Sequence, residues 1–443
     1  MKITHYCNSF LTVTAGKTTL ACDPWIGLEE NNAWATYPIH KDNADLLNRI
    51  RPDAIYISHL HFDHFDRKTL SALDNKGTRF IVKAFKDHRL AARIRDLGFT
   101  NVEEWDPWTE VRISPDLSVS IVPQDVNNIS GFDADINYDL DTSLVARDLK
   151  TNEVFYNCVD NPLSVSGFGK IRDYVRDEFK AGVDICCVSV GAASAFPQCF
   201  PTLDRAKESR RIVDESLKNF KNRMEALRPG AYFFAGGSYI IYGKFSCLNR
   251  YIAQPSADEL RRYIADNLDM KYLEVDGGQS VEKVDGDWAV SDDFTGKRFA
   301  SKAEAIREYR DMPYDYWVGD YSLADIDRLF PAATEKYFKT LDRLGVDMRW
   351  VVDFHVYDDL QLTDDGQIRP ECAVLKTYRL APRKPGGEII QNHACHLDAI
   401  LFQRLLGGQH IWNQSTAGSH IIYVREPNVF YPDVTDALNF LRA

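Results

Sequence analysis

The sequence predicts an α/β layered fold, and three observations carry that expectation. Short β-branched runs separated by turn residues fill residues 1–60. The nearly continuous apolar run Ala54-Ile55-Tyr56-Ile57-Ser58 has the character of a strand buried on both faces. Strand patterns are then followed by helical ones in two successive blocks, the order in which helices come to cover a sheet.

Residues 3–6, 10–13 and 18–21 read as strands, the last two separated by the turn residues Gly16 and Lys17. Helical spacing follows at 44–50, then the buried strand at 54–58. Helix patterns at 68–74 and 86–97 enclose a strand at 80–82. Strands are expected at 118–122, 143–147 and 154–159, and the apolar run holding Cys186 and Cys187 reads as another. A long polar helix is expected at 203–227, stopped by Pro229-Gly230. Beyond residue 275, Gly277, Gly278, Gly286 and Gly296 lie among charges and mark a hairpin-rich junction. A boundary there gives a first domain at 1–275 and a C-terminal α+β accessory region at 276–443. That region combines a helix at 322–344, strands at 350–357 and 374–380, an amphipathic helix at 396–406 and a strand at 420–424.

The balance of 53 Lys and Arg against 65 Asp and Glu leaves a net charge of −12. Such a surface repels phosphate backbones, so nucleic acid is not the expected partner, although a local basic pocket for a small anion remains compatible. Nine cysteines, an odd number with no C-x-x-C pair, point to a reduced cytoplasmic protein rather than a disulfide framework. No run of eighteen apolar residues is present and no leader segment is read, so no membrane association is expected.

The segment His59-Leu60-His61-Phe62-Asp63-His64 concentrates three of the chain's 11 histidines and a carboxylate within six residues. It follows a buried strand directly, so its side chains emerge at a strand end, where layered α/β folds carry their sites. In an extended loop, His59 and His61 point the same way and can share one metal ion. Asp63 and His64 lie further on, able to hold a second ion or a water. Imidazole with carboxylate suits Zn, Fe or Mn better than Ca or Mg.

This motif resembles the signature of the metallo-β-lactamase superfamily. The resemblance implies an αββα sandwich with metals at one edge, and makes 1–275 the catalytic domain. It also implies that Asp23, in Ala21-Cys22-Asp23-Pro24-Trp25, orients the metal loop, and that Asp160, after the strand at 154–159, binds or bridges metal. A closer likeness is to the CMP-N-acetylneuraminate hydroxylase family. Asp23-Pro24-Trp25-Ile26, residues 55–59, Asp141-Thr142 and Val159-Asp160 carry it. So do 191–197, Leu227-Arg228-Pro229, Phe234-Ala235-Gly236 and 425–431.

Two departures bear on function. The hydroxylase family carries a Rieske domain, whose paired Cys and His ligands are not found in this chain, so a separate reductase or the substrate itself is expected to supply electrons. Hydrolases of the superfamily take further His ligands downstream, yet no His lies between His88 and His355. Asp125, Asp133 or Asp135 is then the expected substitute ligand. His59, His61 and Asp160 would make a two-His-one-carboxylate face of the kind that suits non-haem Fe(II). Asp63 would be the base or water-orienting group, and His64 would complete a second site with Asp63 and Asp160. His5 is expected beside the centre, as a strand histidine or a group approaching the metal. His393 and His396, three apart, would face one way on a helix. The expected activity is that of a metalloenzyme, a non-haem iron oxygenase or oxidase holding one or two Fe ions and using O2 on a small polar substrate. The alternative is a hydrolase of a phosphoester, lactone or amide with Zn or Mn; the third is a binding protein with a degenerate site.

Overall fold

Strand periodicity decides which layer each side chain of the central run enters. In the strand Ala54–Tyr56, Ala54 and Tyr56 face a core between two sheets, while Ile55 and, just beyond the strand, Ile57 face a core beneath helices. Successive side chains point to opposite faces, so an unbroken apolar run is what a strand covered on both sides requires. The structure, a computed structural model, describes residues 1–28, 34–86, 88–125, 141–191, 194–236, 239–383 and 388–443.

Among the described residues, the first sheet has the order Asp287–Ser291, Ser280–Val284, Lys2–Cys7, Phe10–Ala15, Thr18–Cys22, Ala54–Tyr56, Arg79–Lys83 and Val102–Trp105. The second runs Lys271–Tyr272, Ala231–Phe234, Ile185–Val188, Val154–Asn157, Thr142–Asp148, Leu117–Pro123 and Val111–Arg112. Between them lie Leu11, Val13, Leu20 and Tyr56 from one sheet and Ile121, Leu144, Phe155 and Phe233 from the other. Leu47, Leu70, Leu90 and Ile94 from short helices cover the outer face of the first sheet. Phe168, Ile171 and Val175 of helix Val165–Phe179, with Phe220 and Met224 of helix Arg205–Leu227, cover the second. This is the four-layered αββα sandwich.

The C-terminal region builds a four-stranded sheet in the order Val374–Leu380, Trp350–Tyr357, Gln391–Asp398 and Ile422–Glu426. Helices Leu323–Leu344 and Ala399–Leu406 pack on it through Tyr337, Leu341 and Phe402. Its core is continuous with Trp25, Trp34 and Tyr239–Tyr242 of the sandwich. The hairpin beyond residue 275 pairs with Lys2–Cys7, so the first sheet runs past that boundary. No helix among the described residues is long and apolar enough to cross a membrane.

Two local readings are corrected. The helix placed at 396–406 starts at Ala399, because Gln391–Asp398 is a strand fixed on both sides by Trp350–Tyr357 and Ile422–Glu426. His393 and His396, an odd number of positions apart on a strand, therefore face opposite sides and share no metal. Helix Val165–Phe179 was not anticipated. Phe168, Ile171 and Val175 have helical spacing, but Gly167 and Gly169 obscure it, since glycine opposes helix in isolation.

Candidate metal centre

The site forms where parallel strands of the first sheet end beside the second. Thr18–Cys22 and Ala54–Tyr56 run parallel, with Cys22 opposite Tyr56. The next residue of the first strand, Asp23, lies against the loop that follows the second. Its Oδ1 accepts from the Ser58 backbone N–H at 2.8 Å and its Oδ2 from the Ser58 hydroxyl at 2.7 Å. The loop turns through the His64 and Phe65 N–H groups donating to the His61 carbonyl at 3.0 and 2.7 Å. Asp66 then caps helix Arg67–Ser71, accepting from the Thr69 backbone N–H at 2.9 Å.

These tethers set the imidazoles. The Ser58 hydroxyl gives its hydrogen to Asp23, so it accepts from His59 Nδ1 at 2.9 Å. That leaves the His59 Nε2 lone pair facing His61 Nδ1 at 2.7 Å and Asp141 Oδ1 at 3.1 Å. His64 Nδ1 donates to Asp23 Oδ2 at 3.0 Å, which turns its Nε2 towards Asp160 Oδ2 at 3.2 Å and Asp63 Oδ2 at 3.6 Å. A carboxylate behind an imidazole fixes its orientation and raises its basicity. The rings of His59 and His64 lie 4.2 Å apart.

The second sheet delivers the remaining carboxylates. Asp141 immediately precedes Thr142–Asp148. The Thr142 hydroxyl donates to the Ser58 carbonyl at 2.7 Å and accepts from the Tyr56 hydroxyl at 2.6 Å, clasping the two sheets together beside His59. Asp160 follows Val154–Asn157 and comes after Val159, which has a φ of 51°. A β-branched residue in that region is strained, by roughly 1–3 kcal/mol, and such strain gathers at functional sites. Across from Asp160, Gly236 has a φ of 85°, and a Cβ there would meet the Ser189 Cβ at 3.3 Å and Asp160 Oδ1 at 3.8 Å, a turn that favours glycine.

Two groups of three ligand-type side chains result: His59, His61 and Asp141, and Asp63, His64 and Asp160. Within each group the ligand atoms lie within 4.8 Å of one another. Three imidazoles and three carboxylates fit a transition-metal ion in each group, or one ion shared between them.

Electrostatics agree with that fit. Burial pushes His59 well below the ordinary histidine pKa, and the neighbouring His64 and His61 push the same way; a ligand imidazole must be neutral. Burial opposes charge on His64 too, but Asp63, Asp160 and Asp23 outweigh it and hold the ring well above the usual value. Without metal, a protonated His64 balances the carboxylates, and a bound metal ion would supply that positive charge in place of the proton. Burial raises the Asp63 carboxyl, with Asp160 adding and His64 opposing. Asp160 also feels burial, yet His64 and His61 bring it below the ordinary carboxylate range; its side chain is 39% exposed at the edge of the cleft.

The expected residues fall in three places. His59, His61, Asp63, His64 and Asp160 all come to the centre, but Asp160 stands with Asp63 and His64, and Asp141 takes the place beside the histidine pair. Asp23 lies behind the loop, fully buried. His5, also buried, donates through Nε2 to the Asn8 carbonyl at 3.0 Å, and the Asn8 amide donates to Asp63 Oδ2 at 3.2 Å. His5 thus braces a neighbour of the site. Asp125 falls in neither group: its oxygens accept from the Ser164 N–H and hydroxyl at 2.8 and 2.6 Å, at the start of helix Val165–Phe179. Asp133 and Asp135 lie outside the described residues. Two participants were not expected at the centre from the sequence. Asp141 was visible as an acid at a strand start, and only the clasp of Thr142 shows its direction. Asn413, at 3.3 Å from His61 Nε2, arrives from a helix some 350 positions away and left no local signal.

Residues 18–157 match the family model of the beta-lactamase superfamily domain, and this segment holds the whole loop and Asp141. A protein named as a Rieske 2Fe-2S iron–sulfur protein from Mycobacterium tuberculosis is 29% identical over 129 residues, covering 28% of this chain and 24% of the relative. The cytidine monophosphate-N-acetylneuraminic acid hydroxylase of Asterias rubens is 35% identical over 79 residues, 17% of this chain and 12% of the relative. These matches therefore span a quarter or less of the relatives' lengths. Among solved structures, the isothiocyanate hydrolase from Delia radicum gut bacteria aligns with a TM-score of 0.45 at 16% identity, covering 64% of this chain and 99% of that one.

Proposed function

We propose that this protein is a non-haem iron enzyme that uses O2 to oxidise a small anionic molecule, with electrons from a separate reductase. The observation that carries this reading is the composition of the first ligand group. His59, His61 and Asp141 form a two-histidine, one-carboxylate set, the pattern associated with non-haem Fe(II) oxygenases. The hydroxylase relatives point the same way over the short stretches they share.

His59, His61 and Asp141 would hold one ion, and Asp63, His64 and Asp160 a second. Such ions, when bound, supply O2 activation and Lewis acidity. The chain's own groups do the rest. Asp23 and Ser58 hold His59 and His64 in fixed tautomers. Asn8 anchors one oxygen of Asp63, and burial raises the pKa of this carboxyl, which favours its taking up a proton. A cleft of about 630 Å³ opens on His61 and Asp141, and Arg89, Arg93, Lys336, Arg343 and Arg442 line it with far fewer acids. In a chain of net charge −12, that local excess of cations favours an anionic substrate.

Elemental analysis of protein purified without added metal, paired with O2 uptake under a reductant, tests the reading. One or two iron ions per chain and reductant-dependent O2 consumption are expected. A zinc protein that takes up no O2 under any reductant would overturn it. The close approach of the two ligand groups, with His59 and His64 rings 4.2 Å apart, suits a hydrolytic two-metal site as well. Ester hydrolysis that is lost on chelation and indifferent to O2 would move the assignment there.

A further inference from the structure

A second cavity of about 630 Å³ adjoins the cleft above the metal centre, with Asn413, Phe430 and Asp436 lining both. On its wall, two residues of neighbouring strands face one another. His393 of Gln391–Asp398 is directly opposite Arg425 of Ile422–Glu426 in the antiparallel register. Both line the cavity.

Each has chemistry left unused by the protein. The Arg425 guanidinium rests over the rings of Phe196 and Phe200, at 4.8 and 4.7 Å. Its Nε donates to Asn428 at 2.8 Å. Among the described residues, no carboxylate forms an ion pair with it. Glu208, whose charge acts on it, is held by Arg211 at 3.0 Å. Stacking on aromatic rings removes water from a guanidinium without satisfying its planar fork of N–H donors. His393 is 6% exposed, and neither ring nitrogen has a hydrogen-bond partner among the described residues. A buried polar group without a partner is costly, roughly 1–3 kcal/mol, and native structures keep one where something else satisfies it. Burial first, and then the charge of Arg425, hold His393 down at about 4, so at neutral pH it offers one donor and one acceptor rather than a second cation.

We propose that Arg425 and His393 form an oxyanion-recognition subsite in this second cavity, binding a carboxylate or phosphate group of a small molecule. The planar guanidinium fork matches either anion in a bidentate manner, and the neutral imidazole completes its hydrogen bonding. The aromatic floor of Phe196, Phe200 and Tyr423 makes the subsite selective for an oxyanion carried on an organic body. That the occupant is the substrate rests on the enzyme reading above; that an oxyanion binds here does not.

The test uses the full chain with ¹⁵N-labelled histidine. His393 is assigned by the resonance lost in His393→Gln. Inorganic phosphate and acetate are titrated separately against matched chloride. Phosphate, acetate or both are expected to shift the His393 ring nitrogens saturably, and the arm that saturates at lower concentration identifies the anion class. In Arg425→Gln the affinity should fall at least about tenfold, some 1.4 kcal/mol. Arg425→Lys, which keeps the charge without the fork, should fall between the two. Unchanged circular dichroism and unfolding midpoint in these variants certify that they are folded. Asp141→Asn, which disturbs the metal centre, should leave the His393 response intact, so failure of the metal reading would not mimic failure of the subsite. A His393 response no different from that to chloride, or one that persists in Arg425→Gln, would overturn the proposal.

Discussion

The Asp141 Oδ1 atom lies 3.1 Å from His59 Nε2, one residue before a strand of the opposite sheet. The centre therefore depends on how the two sheets of the sandwich register. Replacing Asp141 by Asn removes the charge and one ligand oxygen from the first group. Metal affinity there should fall by at least the ~10–100-fold that outer-shell changes already cost. Metal content after dialysis against a graded chelator measures it, and full retention would remove Asp141 from the ligand set.

Asp23→Asn tests the support behind the loop. Its two oxygens serve the Ser58 N–H and hydroxyl and His64 Nδ1. The amide offers one acceptor where the carboxylate offers two. Metal affinity is expected to drop ~10–100-fold, with a loss of stability visible even in chelated protein. A variant indistinguishable in both measurements would show that the orienting role is absent.

Thr142→Val keeps the shape of the clasp and removes its hydroxyl. The Ser58 carbonyl and Tyr56 hydroxyl lose their shared partner, which should cost about 1–3 kcal/mol in denaturant unfolding. Metal binding should weaken with it, because Ser58 carries the loop. A change in stability with no change in metal affinity would separate the clasp from the centre.

Stability should decline as the medium is acidified from about pH 6.5 towards 4. His393, opposite Arg425 and beside the Tyr423 ring, is held at about 4 by burial and by the Arg425 charge. His396, against His355 and Tyr357, is also at about 4 through burial and His355. The unfolded chain binds protons near 6.5 that the folded chain refuses until about 4, so stability rises with pH across that window. For the buried His393 the contribution is at most on the order of 3 kcal/mol. His393→Phe should flatten the dependence of unfolding free energy on pH, and an unaltered slope would contradict the shift.

Removing metal should lower the unfolding midpoint. An ion present at a hundred times its dissociation constant adds about 2.7 kcal/mol. Chelated protein also leaves Asp63, Asp160 and Asp23 around a single protonated His64. Thermal unfolding before and after chelation, and again after returning iron, gives the comparison. Equal midpoints throughout would mean that the six side chains hold no ion.

Much of the sandwich was legible because its strands state their own burial. The run from Ala54 to Ile57 could only belong to a strand covered on both faces, and the helix ending before Pro229-Gly230 announces its own stop. The histidine loop was equally legible, since its three imidazoles and Asp63 are neighbours in the chain. What misled was local pattern without tertiary context. His393 and His396 have a spacing that suits a helix, and two flanking strands pull that segment into a sheet. Asp125 has the chemistry of a ligand, and a serine at the head of a helix takes it.

The sequence by itself determined the layered architecture, the strand that ends at the site and the cluster of side chains at 59–64, because periodicity and local chemistry are written in consecutive residues. Only the tertiary structure decided that Asp141, and not Asp160, stands beside His59, that Asn413 reaches His61, and that Arg425 and His393 share a cavity. Those pairings depend on sheet register and packing between distant segments, where a shift of one position turns a side chain to the opposite face.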